Sequence, residues 1–360
     1  MSTREGARPA FSLSPHLVTL LAETERLAAL LPTSADGPVA ERLRSEAAVA
    51  SMRLDGSPVG DVADAEAALG EALLAGGRVA DREPRSSGTW LDVLAREQPD
   101  RVMLGLEYQG VRTAMAADDL AARLTHAPER ALNALHARLT AGLLPDGAAG
   151  RLRTSVQAVH DASVGQVIYR TAAPERLRGG LTMLAAWVRS AGAREHPLVR
   201  SGVTHQLLLE LHPFEAANGR LARAAARLLL RAGGLDPGGV AVPEVVLASD
   251  PIGYYREVAA TLRRRDLTIW LERWGEAVAA GLRRAARDLD VLTAEVPARA
   301  AAFVTVWEEP NFTVVDYRDE VGVDAVATRA DLVALLDAGR VERVLGARGL
   351  RFRVVGHTAD

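Results

Sequence analysis

The chain has 360 residues, 48% of them hydrophobic, with a formal net charge of -3. At roughly 100–200 residues per domain this predicts two or three domains, and the charge balance excludes a wholesale basic nucleic-acid binder. There is no cysteine, which removes disulfides, thiolate metal sites and cysteine nucleophiles, and all 43 basic residues are arginine, which removes Schiff-base chemistry and a P-loop lysine. Abundant Ala, Arg and Gly fit a GC-rich coding bias, so a lone arginine carries little functional weight. No run reaches the roughly 18 apolar residues of a membrane span, and no cleavage pattern follows the short apolar run near the N-terminus. The expectation is a cytoplasmic protein without membrane contact.

Helical periodicity dominates residues 17–295. LVTLLAETERLAALLPT (17–33) predicts an amphipathic helix ending near Pro32, and SADGPVAERLRSEAAVASMRLDG (34–56) a second, opened by Pro38 and capped at Gly56. Residues 68–95 mix a short helix with a polar loop, and EQPDRVMLGLEYQGVRTAMAADDLAARL (97–124) resumes the helical pattern. Further helices are expected over 131–143, 174–192, 198–212, 219–233 and 252–264, and a long one from Leu267 to about Thr293. The one convincing strand is QVIYRTA (166–172), after a Gly- and Arg-rich loop. The last sixty residues read as three helices and two short strands joined at Arg348-Gly349, a winged helix-turn-helix order.

The segment HPFEAANGRLAR (212–223) lies between two of these helices. Pro213 disfavours continuation of the first, and the second begins near Gly219. Backbone N–H groups at a helix start are unsatisfied and carry partial positive charge, which makes Ala217, Asn218 and Gly219 a candidate anion cradle. Arg220 and Arg223, three apart, share one helix face and suit bidentate phosphate contacts. His212, just ahead of the loop, suits removal of a proton from a hydroxyl nucleophile. Together these residues predict transfer of a phosphate-containing group.

This segment resembles the motif of the Fic (filamentation induced by cAMP) family, H-x-F-x-D/E-G-N-G-R-x-x-R, with His212, Phe214, Asn218, Gly219, Arg220 and Arg223 in register. The resemblance spans about residues 15–295. GRLRTSVQAVHDASVGQVIYRTAAPERLRGGL is similar to the family's flap, a β-hairpin that aligns a target by strand addition, and YYREVAATLRRRDLTIWLERW to its tyrosine pair and following helix. EAAVASMRLDG resembles the inhibitory helix S/T-x-x-x-E-G/N through Ser51, Asp55 and Gly56, with Asp in place of Glu. The implied fold is mainly α, a Fic (Fido) helical core with a small β-hairpin flap. Its expected divisions are an N-terminal region (1–100) with the inhibitory helix at about 38–56, the core (101–295) and a winged-helix-like domain (296–360).

The resemblance implies AMP transfer from ATP to a Ser, Thr or Tyr hydroxyl of a protein. His212 would be the general base, Phe214 would pack the loop, and Ala217, Asn218, Gly219, Arg220 and Arg223 would hold the nucleotide, with Tyr254 and Tyr255 nearby. Asp55 would pair with Arg223 and inhibit in cis, though its shorter side chain should reach less far than Glu. Ala216 stands where the family places its Mg²⁺-binding acid and Ala217 where it places a glycine; alanine there would be strained at positive φ. Glu215 is an alternative metal ligand. Two further readings therefore stand: a catalytically silent nucleotide-binding regulatory or interaction protein, and transfer from another nucleotide or phosphate donor.

His205 is expected to be a hydrogen-bonded core histidine, His160 a surface one, and one of Tyr254 and Tyr255 to pack the core while the other lines the site. Arg151 and Arg153 either contact target or phosphate or belong to a solvated loop. Residues 301–360 hold 7 Arg against 10 Asp plus Glu, which argues against DNA binding and for a packing or protein-contact role. Expected partners are a protein substrate, the chain itself through self-modification, and a second copy in a homodimer.

Overall fold

The computed structural model describes residues 9–79, 100–145, 147–161, 166–291, 296–346 and 349–355. Residues 80–95 of the mixed helix and polar loop read over 68–95, the first residues of the helical pattern read from 97, the helix end near Thr293 and the turn residue Arg348 lie outside them. The described chain is mainly helical, with two small antiparallel sheets of two strands each.

Helix α1 (Pro15–Ala28) starts where the Ser14 hydroxyl accepts from the Leu17 N–H and Pro15 takes a position whose N–H has no intrahelical partner. Helix α2 (Pro38–Leu54) also opens on proline and ends with Asp55 as its cap residue. Gly56 follows at φ +77°; its N–H donates to the Arg53 carbonyl at 2.9 Å and that of Ser57 to the Met52 carbonyl at 3.0 Å. Glycine enters this left-handed turn without strain, so the helix stops at one set point and Asp55 projects from its tip.

Helices α3 (Val62–Leu74) and α4 (Arg101–Met115) pack so closely that a Cβ on Gly105 would stand 2.2 Å from the Ala68 carbonyl oxygen. The single helical pattern read over 97–124 is in fact broken, into α4 and α5 (Asp118–His126). No glycine or proline marks the break; Asp118 and Asp119 in the first turn of α5 favour a fresh N-terminus there. Helix α6 (Pro128–Leu139) follows, then the hairpin of β1 (Ala158–Asp161) and β2 (Gln166–Arg170), which pairs Val159 with Tyr169 and carries an irregularity after Val159.

Helix α7 (Pro174–Arg189) leads to the central pair, α8 (Pro197–Leu211) and α9 (Asn218–Ala232). Ala222, Ala224, Ala225 and Ala226 are all fully buried on α9, which lets neighbouring helices approach on every side. The short α10 (Pro243–Ala248), not anticipated from the sequence, precedes α11 (Pro251–Arg264) and the long α12 (Thr268–Asp288). Two tryptophans of α12 dock on α8: Trp270 Nε1 donates to the Gly202 carbonyl at 2.7 Å and Trp274 Nε1 to Ser201 Oγ at 2.8 Å. Glycine is required at this crossing, because a Cβ on Gly202 would lie 2.7 Å from Trp274 Cδ1.

The C-terminal residues form α13 (Ala298–Val306), α14 (Val314–Val321), α15 (Ala325–Asp337) and a hairpin of β3 (Val341–Gly346) and β4 (Gly349–Val354), in the order read from the sequence. Phe303, Phe312, Tyr317 and Phe352 build a core of their own. Within it the fully buried Asp331 accepts from Tyr317 Oη at 2.8 Å and from Arg299 at 2.7 and 2.8 Å. Charges join this unit to the rest: Glu23 of α1 pairs with Arg283 of α12 and, at 2.6 Å, with Arg343 of β3, while Arg26 pairs with Asp337.

Gly202→Ala should force the α8–α12 crossing apart and destabilise the protein by about 2 kcal/mol. Circular-dichroism melting should place the variant a few °C below the parent; an unchanged melting temperature would contradict the crossing described.

Candidate active site

Helix α8 ends at His212, which takes a left-handed conformation (φ 43°, ψ 64°) while its N–H still donates to the Leu208 carbonyl. The following Pro213 disfavours a helical continuation. The loop that results is braced by its own asparagine: the Phe214 N–H donates to Asn218 Oδ1 at 3.0 Å and Asn218 Nδ2 to the Phe214 carbonyl at 2.7 Å. Asn218 Nδ2 also lies 3.3 Å from Gln157 Oε1. The Asn218 side chain thus holds the loop, leaving its backbone N–H for the cradle.

Phe214 is fully buried and stacks on His136 with ring centroids 4.1 Å apart. The Gly150 N–H donates to His136 Nδ1 at 2.9 Å, so Nε2 carries the proton toward the Ala216 carbonyl at 3.2 Å. Burial, above all, lowers the His136 pKa to about 4 and Arg220 acts in the same sense, the bond to Ala216 opposing both. His136 is therefore a neutral strut between two loops.

The second strut is Arg153, which is 2% exposed. Its Nε donates to the His212 carbonyl at 2.5 Å, and Nη2 donates to the carbonyls of Leu211 at 3.0 Å and Ala172 at 2.5 Å. The guanidinium caps the C-terminal end of α8, where carbonyls have no intrahelical donor. Arg153 is accordingly neither a target contact nor part of a solvated loop; it fixes the backbone that carries His212, while Arg151 is exposed. No sequence signal distinguished it among 43 basic residues. His136 did have one, since Leu132, His136 and Leu139 share an apolar helix face.

Helix α9 opens without any capping side chain and with no acid in its first turn. Its N-cap, Ala217, sits at φ 59°, ψ 20°, so the glycine lost from the motif was at a positive-φ position and alanine is strained there. The negative charge this helix start lacks comes from α2. A Cβ on Gly219 would stand 2.2 Å from Asp55 Oδ1, so the carboxylate lies directly over the first turn of α9. Asp55 Oδ1 accepts from Arg223 Nη2 at 2.6 Å, and Oδ2 lies 3.2 Å from Arg220 Nε. Ser51 completes the contact, its Oγ and carbonyl accepting from Arg223 at 2.8 and 2.7 Å. The expectation that Asp reaches less far than Glu is corrected here: Gly219 has no side chain, and the Gly56 turn sets Asp55 against it.

Burial alone would raise the Asp55 pKa, but Arg223 and Arg220 hold it below the usual carboxylate range. Burial pulls Arg223 down, but Asp55, with Tyr255 and Tyr254, raises it by more, so the pair is ionised. His212, 1% exposed, has its pKa lowered to about 4 by burial, with Asp55 opposing and Arg153 and Arg223 assisting. The imidazole is thus neutral near pH 7, the form a base needs.

Of the tyrosine pair, Tyr255 borders the site, its Oη 3.4 Å from Asp55 Oδ1. Tyr254 is fully buried and bonds His205 Nε2 at 2.8 Å, so it packs the core. His205, fully buried against Trp270 and Trp274, is the core histidine expected. Glu215 is corrected as a metal ligand: it is exposed, and its carboxylate accepts from the Thr154 N–H at 3.1 Å and Ser155 Oγ at 2.8 Å.

The site is thus a helix start that holds the Asp55 carboxylate between two arginines, beside a neutral histidine and a β-hairpin, on a mainly helical scaffold. Residues 125–230 match the model of the Fic/DOC family, and the chain carries a domain of that family, whose members generally transfer a nucleoside monophosphate to proteins. Among solved structures, a Fic family protein from Desulfovibrio desulfuricans G20 is similar with a TM-score of 0.58 and 20% identity, covering 98% of this chain and 100% of that one. Fic-1 from C. elegans is similar with a TM-score of 0.51 and 16% identity, over 76% of this chain and 73% of that one. At these identities the likeness is one of fold. No curated protein matches the sequence.

Two predictions follow from this geometry. Ala217→Gly relieves a left-handed alanine and should stabilise the protein by up to about 1 kcal/mol, the cost of glycine in the unfolded chain offsetting part of the gain; a lower denaturation midpoint would contradict the strain. His136 and His212, with folded pKa values of about 4 against the ordinary 6.5 of an unfolded histidine, bind fewer protons folded than unfolded between those limits. Stability should therefore be fully present above pH 6.5 and fall by roughly 5 kcal/mol, about half from each histidine, toward pH 4.5. Urea titrations across that range should lose this dependence when both histidines are replaced by Gln.

Proposed function

We propose that the chain is a Fic-type protein adenylyltransferase, moving AMP from ATP to a Ser, Thr or Tyr hydroxyl of a protein, and that Asp55 restrains it in cis. The observation that carries this reading is the Asp55 carboxylate itself, seated over Gly219 and bonded to Arg223. An anion already occupies the cradle, so the residues present fit the phosphates of a nucleotide. The backbone of Ala217, Asn218 and Gly219 and the guanidiniums of Arg220 and Arg223 would hold them, with Tyr255 at the border. ATP supplies an α-phosphorus whose bond to pyrophosphate breaks as a bond to the target oxygen forms. His212 takes the proton that oxygen gives up. The β1–β2 hairpin stands beside His212, where a target segment would be aligned.

Mg²⁺ fits less well. Ala216 brings only its carbonyl, which His136 already engages, Glu215 is held by Thr154 and Ser155, and no cluster of three or more acids and histidines suits a metal among the described residues. Neutralisation of phosphate charge then falls on Arg220, Arg223 and the start of α9. This favours one alternative, a nucleotide-binding regulatory protein without transfer activity. The acidic C-terminal unit reads as a winged-helix-like packing or protein-contact module.

Label transfer from α-³²P-ATP, with Mg²⁺ or Mn²⁺ and with or without cell lysate, separates the two. Asp55→Gly should label itself or a lysate protein, at least tenfold above the parent, and adding His212→Ala should abolish the label. Persistent ATP binding without label under either metal would sink the transferase reading and support the regulatory one.

A further inference from the structure

Tyr169 is the one buried residue of strand β2, with Gln166, Val167 and Arg170 of the same strand exposed. Its ring lies nearly parallel to that of His212, centroids 6.2 Å apart at 24°. Helix α11 packs on β2, and its Tyr254 and Tyr255 lie close enough to act electrostatically on Tyr169. The side chain is 6% exposed, and its hydroxyl is buried without a hydrogen-bond partner. Such a group costs about 1–3 kcal/mol relative to a satisfied one, a cost that a phenylalanine packing the same ring would not incur.

The Asp55 carboxylate is already engaged. Asp55 Oδ1 takes Arg223 at 2.6 Å and Tyr255 Oη at 3.4 Å, and Oδ2 faces Arg220 at 3.2 Å. The phenol also keeps its proton: burial, then Tyr255, Tyr254 and Asp55, push its pKa well above the ordinary value, against Arg223. It is an O–H donor beside the general-base candidate, with no hydrogen-bond partner among the described residues.

We propose that Tyr169 is a ligand-binding residue whose hydroxyl donates to a phosphoryl oxygen of the nucleotide held between the hairpin and α9. The proposal rests on the nucleotide reading given above and adds a residue to it. The hairpin then contributes more than a strand edge for the target: it places a neutral donor beside His212, where a phosphate oxygen lacking a metal ligand needs one.

Tyr169→Phe keeps the ring and removes only the donor. Calorimetric titration of Asp55→Gly with ATP comes first; no binding there would overturn the nucleotide reading and this proposal with it. Given binding, Asp55→Gly/Tyr169→Phe should bind ATP about tenfold or more weakly than Asp55→Gly and bind adenosine equally well. Equal ATP affinity in the two proteins, or a matching loss for adenosine, would overturn the proposal alone. Tyr169→Phe in the parent should melt at or above the parent temperature. A clear drop would mean the hydroxyl is bonded without ligand, which also overturns it.

Discussion

Everything at the site depends on the buried ion pair between Asp55 and Arg223. Helix α9 carries two arginines in its first six residues and neither a capping side chain nor an acid in its first turn. Glu107 of α4, 3.5 Å from Arg220 Nη1, offsets part of that positive field inside the protein. Asp55 compensates it from a different helix, so α2 and α9 are joined by electrostatics as well as by packing. The contact works over a short side chain because three backbone choices coincide. Gly56 ends α2 in a left-handed turn, Gly219 has no Cβ to obstruct the carboxylate, and alanines line α9.

The histidine half of the site rests on a different device. His212 and Ala217 both adopt positive φ, conformations costly for residues other than glycine, and the loop between them holds its shape through side-chain bonds to backbone. Asn218 spans the loop from within, while His136 and Arg153 hold it from outside. These three side chains spend donors on backbone carbonyls, while burial keeps the imidazole of His212 neutral. Strain in the loop is thereby matched by rigidity around it.

What the sequence reveals follows from which forces are local. The motif residues are legible because helix starts, prolines and arginine spacing act within one or two turns, and the Asp55-Gly56 pair because a helix stop has a local signature. Arg153 and His136 act across 59 and 80 residues of chain, and nothing near them in sequence announces their partners. The break at Ala117 escaped for the opposite reason: no residue there forbids a helix, and only packing decides. The sign of φ at Ala217 likewise belongs to the loop as a whole. Adjacent helical positions such as Tyr254 and Tyr255 must face different ways, but periodicity alone does not say which one meets the site.

The cost of the ion pair itself argues for a binding role. Arg223 is fully buried, and desolvating a guanidinium and a carboxylate together costs several kcal/mol per ion before their attraction is counted. Apolar residues of similar volume would secure the α2–α9 contact without that cost. A pair so placed is poor as a structural fastener and well suited to exchange, because an incoming phosphate offers Arg223 the same charge with more oxygens. Removing the acid alone would strand a buried cation, whereas displacing it by a phosphate leaves the cation satisfied. The arrangement is therefore most stable with some anion present, and in the chain as it folds the carboxylate of α2 is that anion.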